Sequence, residues 1–261
     1  MRKGACSQYR PRVYSSQARF HRRRGTLYFV LVGIHQLHYL PWLRYFHKIA
    51  CSDTFIVLDN IQYNKNGHQN RNRIRTPQGP LTLTVPVFDR FAQPLDAVLI
   101  DNKRPWAKKH WRSIEQNYRR APYFEAYAPG LAAFYQKPWE SLNELNRAML
   151  HWFLEALAID TPVVYASGLQ APGEATDRLI QLIQAVQGTA YFTGAHALQA
   201  YLDLGALESA GINLEIQQWH AIEYPQVHGP FVSDLSIIDL LMMCGPQSRD
   251  VLLGKPYDPP Q

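Results

Sequence analysis

The sequence predicts an α/β fold: a mixed, largely parallel sheet with flanking helices and a helical middle segment. Three observations predict it. Strand-length apolar runs alternate with a helical pattern up to Asp59, the same rhythm resumes at Val163, and the stretch from Trp106 to Leu157 reads as consecutive helices. No internal repeat, low-complexity tract or Gly/Ser linker interrupts this pattern. The expectation is therefore one domain over residues 27–254, preceded by a basic extension over residues 1–26 that is expected to be disordered.

The first strand is expected over Leu27–Ile34, ending at His35. Tyr39–Ala50 carries Leu40, Leu43, Phe46, Lys48 and Ile49 at helical spacing, with Pro41 suited to a first turn. Thr54–Leu58 is a second apolar run closed by Asp59, so the opening reads as β-α-β with parallel strands. Ligands of open α/β sheets gather beyond the carboxyl ends of the strands, which is where His35 and Asp59 would stand. From Asn60 to Pro80 the chain turns polar and basic, as a loop or exposed hairpin. Leu81–Val87 alternates as a half-buried strand should, with Ala97–Ile100 as a short partner. Helices follow over Trp106–Arg120, Tyr123–Tyr135 and Leu142–Leu157, the last with an apolar stripe of Leu145, Met149, Trp152, Phe153 and Leu157. The βα rhythm then gives strand Val163–Ala166, helix Glu174–Val186, strand Thr189–Phe192, helix Ala197–Leu204 and strand Asn213–Gln217. A closing helix runs from Leu235 to Met243, with Ser233 or Asp234 as candidate caps.

Composition narrows the class. The chain has 261 residues, of which 46% are hydrophobic, 12% aromatic and 18% charged, enough apolar surface for a core without disulfides or metals. Cys6, Cys51 and Cys244 are an odd number without a CxxC pair, which points to a reducing, cytoplasmic setting and no metal centre. The net charge of +6 suits a polyanionic partner, a phosphorylated substrate or plain solubility alike. Leu27–Ile34 is far shorter than the roughly 20 apolar residues of a membrane span, so no span is expected. The segment ahead of it is rich in Arg and Ser and has no acidic residue before Asp53, like a transit peptide. An extension without a sorting role is preferred, because Arg22, Arg23 and Arg24 abut the first strand with no amphipathic helix. No HExxH, P-loop, GxSxG or dinucleotide fingerprint occurs.

The run from Ile34 through His35, Gln36, Leu37, His38, Tyr39, Leu40 and Pro41 to Trp42, followed by Lys48-Ile49, Ser52-Asp53 and Leu58-Asp59, resembles the opening signature of WbqC-like proteins. The resemblance continues through Asn70-Arg71-Asn72, Thr76-Pro77-Gln78-Gly79, Leu83–Val87, Trp106 with Lys109-His110, Ala121–Phe124, Leu145-Asn146, Tyr191–Gly194, Tyr224 with Gln226, and Ser236–Leu241 before Gly245. It covers nearly everything between Ile34 and Gly245. The family usually carries Pro where Leu37 stands and a polar residue other than His where His38 stands. The resemblance implies a bacterial role in O-antigen or other surface-polysaccharide biosynthesis, with a glycine or other amino-acyl transfer as the suggested reaction.

Several groupings could carry such chemistry. His35 and His38 reproduce the i, i+3 spacing of the HxGH motif in nucleotidylyl transferases, where imidazoles at a helix N-terminus stabilise phosphate charge. Leu37 stands where glycine would let a base approach the backbone. A site without a nucleotide and a pair of structural histidines stay open beside this reading. Asp59 could act as a base or orient an amine, or it could form an Asx turn. Lys48 could reach a phosphate, or lie solvated on a helix face. Tyr39 and Trp42 offer stacking surfaces beside the His pair, or pack the helix into the core. Gln36, Gln62, Asn70, Arg71 and Asn72 suit a diphosphate or sugar hydroxyls, and Lys109 with His110 suits an anion. Tyr224-x-Gln226 and Ser236-x-x-Asp239 are expected to shape and cap the C-terminal part.

Two function classes follow. The first is a transferase or adenylate-forming enzyme with catalytic His35 and Asp59, acting on a small-molecule or nucleotide-sugar substrate, with ATP and Mg²⁺ as an open requirement and the oligomeric state unspecified. The second is a non-enzyme: a nucleic-acid binder using the basic loop, which the interspersed Asn and Gln disfavour, or a scaffold of a polysaccharide pathway.

Overall fold

A computed structural model describes residues 29–65, 67–88, 92–195 and 202–259. The basic extension over residues 1–26 and most of the helix expected over Ala197–Leu204 lie outside them. The expected β-α-β opening consists of β1 (Leu31–Gln36), α1 (Leu43–Ala50) and β2 (Thr54–Leu58). A hairpin of β3 (Arg71–Thr76) and β4 (Gly79–Thr84) and a ribbon of β5 (Val87–Phe88) and β6 (Leu99–Ile100) follow. The helical middle is α2 (Trp106–Tyr118), α3 (Phe124–Gln136) and α4 (Leu142–Ala156). Then come β7 (Val163–Tyr165), α5 (Ala175–Ala185), β8 (Ala190–Thr193), α6 (Leu204–Ser209), β9 (Asn213–Ile216), α7 (Ile237–Cys244) and α8 (Ser248–Leu252). None of the helices among the described residues is long and apolar enough to cross a membrane.

Five strands form one parallel sheet in the order β7, β2, β1, β8, β9, and the antiparallel pairs stand apart from it. β1 alternates across the sheet. Val32 and Ile34 pack with Ile56, Tyr191 and the α5 residues Leu179, Leu182 and Ile183. Phe55 and Val57 of β2 face the larger core, which takes in Phe46 of α1, Leu145 and Phe153 of α4, and Leu240 and Leu241 of α7. This two-sided burial explains why the strands read as apolar runs.

Four expectations are corrected. β1 extends two residues beyond Ile34, because its pairing with β2 continues through His35↔Val57 and Gln36↔Leu58. α1 begins at Leu43 rather than Tyr39: Leu40 precedes Pro41, whose ring excludes the helical conformation behind it, and takes φ 45° instead. The expected Leu81–Val87 strand is split, residues 79–84 pairing with β3 and Val87 with Ile100. The cap of α7 is Ser236, whose Oγ accepts the Ile238 N–H at 3.4 Å, in place of Ser233 or Asp234.

Gly188, in the turn from α5 into β8, permits the close approach of helix and sheet. A Cβ there would sit 2.4 Å from Val32 Cγ2, 2.7 Å from Ile183 Cγ2 and 3.0 Å from the Ile183 carbonyl oxygen. Gly188→Ala is expected to lower stability by about 2 kcal/mol in urea denaturation. Gly168→Ala, where a Cβ meets nothing within 4 Å, should leave the midpoint in place.

Candidate functional site

The sheet order places β2 and β7 on one side of β1, and β8 and β9 on the other. The chain therefore reverses its direction of travel between β1 and β8, and such a switch point opens a crevice outside the carboxyl ends of the flanking strands. β1 delivers His35 and Gln36 to that end, β2 delivers Asp59, and β8 delivers Thr193 and Gly194. A Cβ at Gly194 would meet nothing within 4 Å among the described residues.

After β1 the chain forms an ordered loop from Leu37 to Trp42. The Leu37 N–H donates to the Leu58 carbonyl at 3.2 Å and the Tyr39 N–H to the His68 carbonyl at 3.2 Å. Asn72 Nδ2 donates to the Leu40 carbonyl at 2.7 Å, and the Ile237 N–H donates to the Pro41 carbonyl at 2.9 Å. His38 thus sits in a tied loop ahead of α1, not at the start of the helix, and the helix dipole does not stand behind it as expected.

The two imidazoles meet edge to face, with ring centroids 4.8 Å apart. Tyr45 lies 5.1 Å from His35, Trp42 lies 5.1 Å from His38, and His68 lies 4.4 Å from Trp42. Lys48, one turn after Tyr45 on α1, is 6% exposed. It is neither a solvated helix-face lysine nor a paired one: its amine makes no hydrogen bond or ion pair with any described residue. His38 Nδ1 and the Tyr45 hydroxyl are likewise buried without a hydrogen-bond partner.

Burial sets the charge of this cluster. It pushes His35 down to about 3, with the Lys48 charge adding to the effect and the Gln36 carbonyl opposing it. Burial, then the neighbouring imidazoles and Lys48, hold His38 well below the ordinary histidine range. Burial and then Arg71 and Arg73 lower His68, and burial followed by Arg44 brings Lys48 down to about 8. At neutral pH the cluster is a group of neutral imidazoles beside one ammonium. His35 Nδ1 lies 3.3 Å from the Gln36 carbonyl, which can only accept, so Nδ1 carries the hydrogen and Nε2 presents a lone pair.

The remaining predicted residues have other employment. Asp59 is wholly buried and accepts from the Ser167 N–H at 2.9 Å and the Ser167 hydroxyl at 2.7 Å, while Arg147 pairs with the same carboxylate. Arg147 also lies 4.0 Å over the Tyr165 ring, so Asp59 clamps the ends of β2 and β7 to α4 and forms no Asx turn. Tyr39 does not flank the histidines. Its hydroxyl is buried against Tyr135 at 2.8 Å and His110 at 2.9 Å, which also accounts for His110. Gln36 Oε1 accepts from Gln69 Nε2 at 3.3 Å, Asn70 Nδ2 donates to the Val85 carbonyl at 2.8 Å, and Arg71 Nε donates to the Gly67 carbonyl at 3.3 Å. Gln62 and Lys109 are exposed. Of the basic run, Arg75 is buried and Arg73 donates to the Asp234 carbonyl at 3.2 Å, which leaves less of the hairpin free for a polyanion.

One polar group escaped the sequence reading, and a second was read in part. Asn143, Asn146 and Arg147 form an i, i+3, i+4 polar stripe within an apolar helix, a signal that was present. Asn143 Nδ2 donates to the Asp59 carbonyl at 3.0 Å and Asn146 Nδ2 to the Gln69 carbonyl at 2.8 Å. The second group surrounds Asp239, which accepts from the Tyr118 and Tyr224 hydroxyls at 2.9 Å each and from Gln226 Nε2 at 2.8 Å. It bears out the expectation that Tyr224, Gln226, Ser236 and Asp239 shape the C-terminal part. Two surface hollows lie elsewhere, one by His151 and Ile159 and one by Gln78 and Ser113. Neither gathers unpaired buried donors, so the candidate site rests on the chemistry at the end of β1.

Comparison with known proteins gives two matches. The model of the WbqC-like protein family matches residues 36–251. A Mycobacterium tuberculosis (strain ATCC 25618 / H37Rv) protein described as uncharacterized protein Rv1507c is 36% identical over 225 residues, covering 85% of this chain and 96% of that one. No solved structure matches.

Two outcomes test these electrostatics. Asp59→Ala strands the Arg147 and Ser167 donors, and a loss of about 3 kcal/mol in chemical denaturation is expected. His35 is held down to about 3, and His47 and His110, both lowered chiefly by burial, to about 4. The unfolded chain therefore binds protons below pH 6.5 that the folded chain refuses, so the contribution of these groups is full above pH 6.5 and lost as pH falls toward 4. Urea midpoints should decline across that window, and a flat profile from pH 7 to 4.5 would show that the imidazoles are not held neutral.

Proposed function

The chain belongs to the WbqC-like protein family, and from that premise we propose that it is a transferase moving an amino-acyl group onto the amine of an amino sugar during assembly of a surface polysaccharide. The observation that carries this reading is the cluster of neutral imidazoles and one unpaired ammonium, with no carboxylate among its members, at the carboxyl end of β1 beside the switch point.

Acyl transfer to an amine needs a base and a positive environment for the leaving group. His35 Nε2, with its lone pair free, is placed to take the proton that the amine loses as its nitrogen bonds the acyl carbon, while the bond from that carbon to the oxygen of the donor's leaving group breaks and that group departs with the electron pair as an anion. The low basicity of His35 in the free chain comes first from burial and then from Lys48. An anion beside Lys48 offsets that second cause, so the base strengthens when an anionic substrate is bound. Trp42, half-buried between His38 and His68, offers a flat face to a sugar or base. In this reading Asp59 is a positioning residue that fixes the neighbouring strand ends through Ser167 and Arg147.

The test is transfer of a labelled amino acid to nucleoside-diphosphate amino sugars by the full chain, with and without ATP and Mg²⁺, followed by mass spectrometry. His35→Ala should reduce turnover by about 100-fold or more while leaving the melting temperature within a few degrees. Unchanged turnover in that variant would remove His35 from the reaction and with it this assignment.

A further inference from the structure

We propose that Lys48, His38 and His35 form a built subsite for a phosphoryl oxygen, and that the substrate bound at the end of β1 therefore carries a phosphate or diphosphate group. This rests on the site assigned above and names the chemical class of the molecule it takes.

Lys48 is nine-tenths buried, and its amine has no acceptor among the described residues. His38, 3% exposed, leaves Nδ1 without a partner. The His35 and His38 rings are 4.8 Å apart, and Tyr45, three residues before Lys48 on the same face of α1, lies 5.1 Å from His35, so α1 carries Lys48 toward the His pair, in keeping with the Lys48 charge lowering both histidines. A buried cation without a counter-charge and an adjacent unpaired ring nitrogen are each costly to fold. One occupant removes both costs: an anionic oxygen that accepts from the ammonium and from a protonated ring nitrogen. A diphosphate fits better than a carboxylate, because the rim supplies a further donor in the exposed His68, whose ring lies 5.8 Å from that of His38 and which a group with a single charge would leave unused.

Besides burial, Arg44 on the same helix lowers Lys48, and Lys48 in turn lowers His35 on β1 and His38 in the loop. The strand packed against α1 from the other side, β9, carries the buried carboxylate of Glu215 two residues before Gln217, whose amide donates to the Arg44 carbonyl. Since burial brings Lys48 down to about 8, an arriving anion should draw a proton onto it at that pH. Affinity should hold below pH 8 and fall above it, as the ammonium is lost.

The experiment is isothermal titration of the full chain at pH 8 with inorganic phosphate, pyrophosphate, UDP, AMP and acetate, each in two buffers of different ionisation enthalpy. Binding of pyrophosphate or UDP with net proton uptake, weakened tenfold or more and without uptake in Lys48→Met, is the expected result. UDP over AMP assigns the oxygen to a nucleotide-sugar acceptor, and AMP over UDP to an adenylated acyl donor. Lys48→Met should also melt higher than the parent chain, since it replaces an unpaired buried ammonium by an apolar side chain of similar length. His38→Gln supplies the same titration should that variant not fold. No phosphate-type binding, acetate binding as tightly as pyrophosphate, or binding that ignores both substitutions would overturn the subsite. Phosphate binding through Lys48 without any acyl transfer would keep the subsite and remove the transferase reading, whereas transfer dependent on His35 but indifferent to Lys48 would do the reverse.

Discussion

The loop from Leu37 to Trp42 is the constraint on which the rest of the molecule depends. It does not continue β1, because β2 ends at Leu58, whose carbonyl takes the last ladder bond from the Leu37 N–H, and it cannot be helical at Leu40, because Leu40 precedes Pro41. Its backbone groups must find partners elsewhere. Asn72 from β3 meets the Leu40 carbonyl and Ile237 from α7 meets the Pro41 carbonyl, so one irregular segment joins the parallel sheet, the hairpin and the C-terminal helix. The aromatic and imidazole rings that follow from it are positioned by those bonds rather than by regular secondary structure.

Polar groups inside the protein are treated unevenly. Asp59 and Asp239 are both fully buried, and each collects three side-chain or backbone donors. Both carboxylates are fully provided with donors. Burial raises Asp239, its three donors oppose the rise, and the network fixes α2, the segment around Tyr224 and α7 to one point. His38 Nδ1 and the Tyr45 hydroxyl, beside the buried Lys48 side chain, have no such provision. Unpartnered buried atoms occur elsewhere too, at Asn70, Arg75, Asn143, Asn146, Arg147, His228 and Arg249, but at the end of β1 two of them, on His38 and Tyr45, stand beside a buried lysine, the pattern expected where binding rather than folding supplies a missing partner.

The sequence made the fold class, the helical middle and the C-terminal polar grouping legible, because each rests on periodicity or on capping chemistry that is local in the chain. His35 was legible as a strand-end residue with only the boundary misplaced, since strand pairing, not composition, decides where β1 stops. The roles of Tyr39, Asn70 and Asn72 were not. Their side chains satisfy backbone and hydroxyl groups far away in sequence, and a polar residue that ties a loop has the same letter as one that holds a ligand. Lys48 shows the converse. A lysine on an amphipathic helix reads as solvated until tertiary packing encloses it, and only the enclosed state reveals that nothing neutralises it.

The ties of the Leu37–Trp42 loop also bear on how the protein comes into being. Its histidines leave the ribosome early, yet β1 lacks β8 on its outer side and Pro41 lacks Ile237 until nearly the whole length of the domain has been made. Contacts this distant in sequence close late and at a high loop entropy. The nascent amino-terminal half therefore exposes an apolar strand with one unpaired edge for most of translation, the situation in which a holding chaperone is most useful.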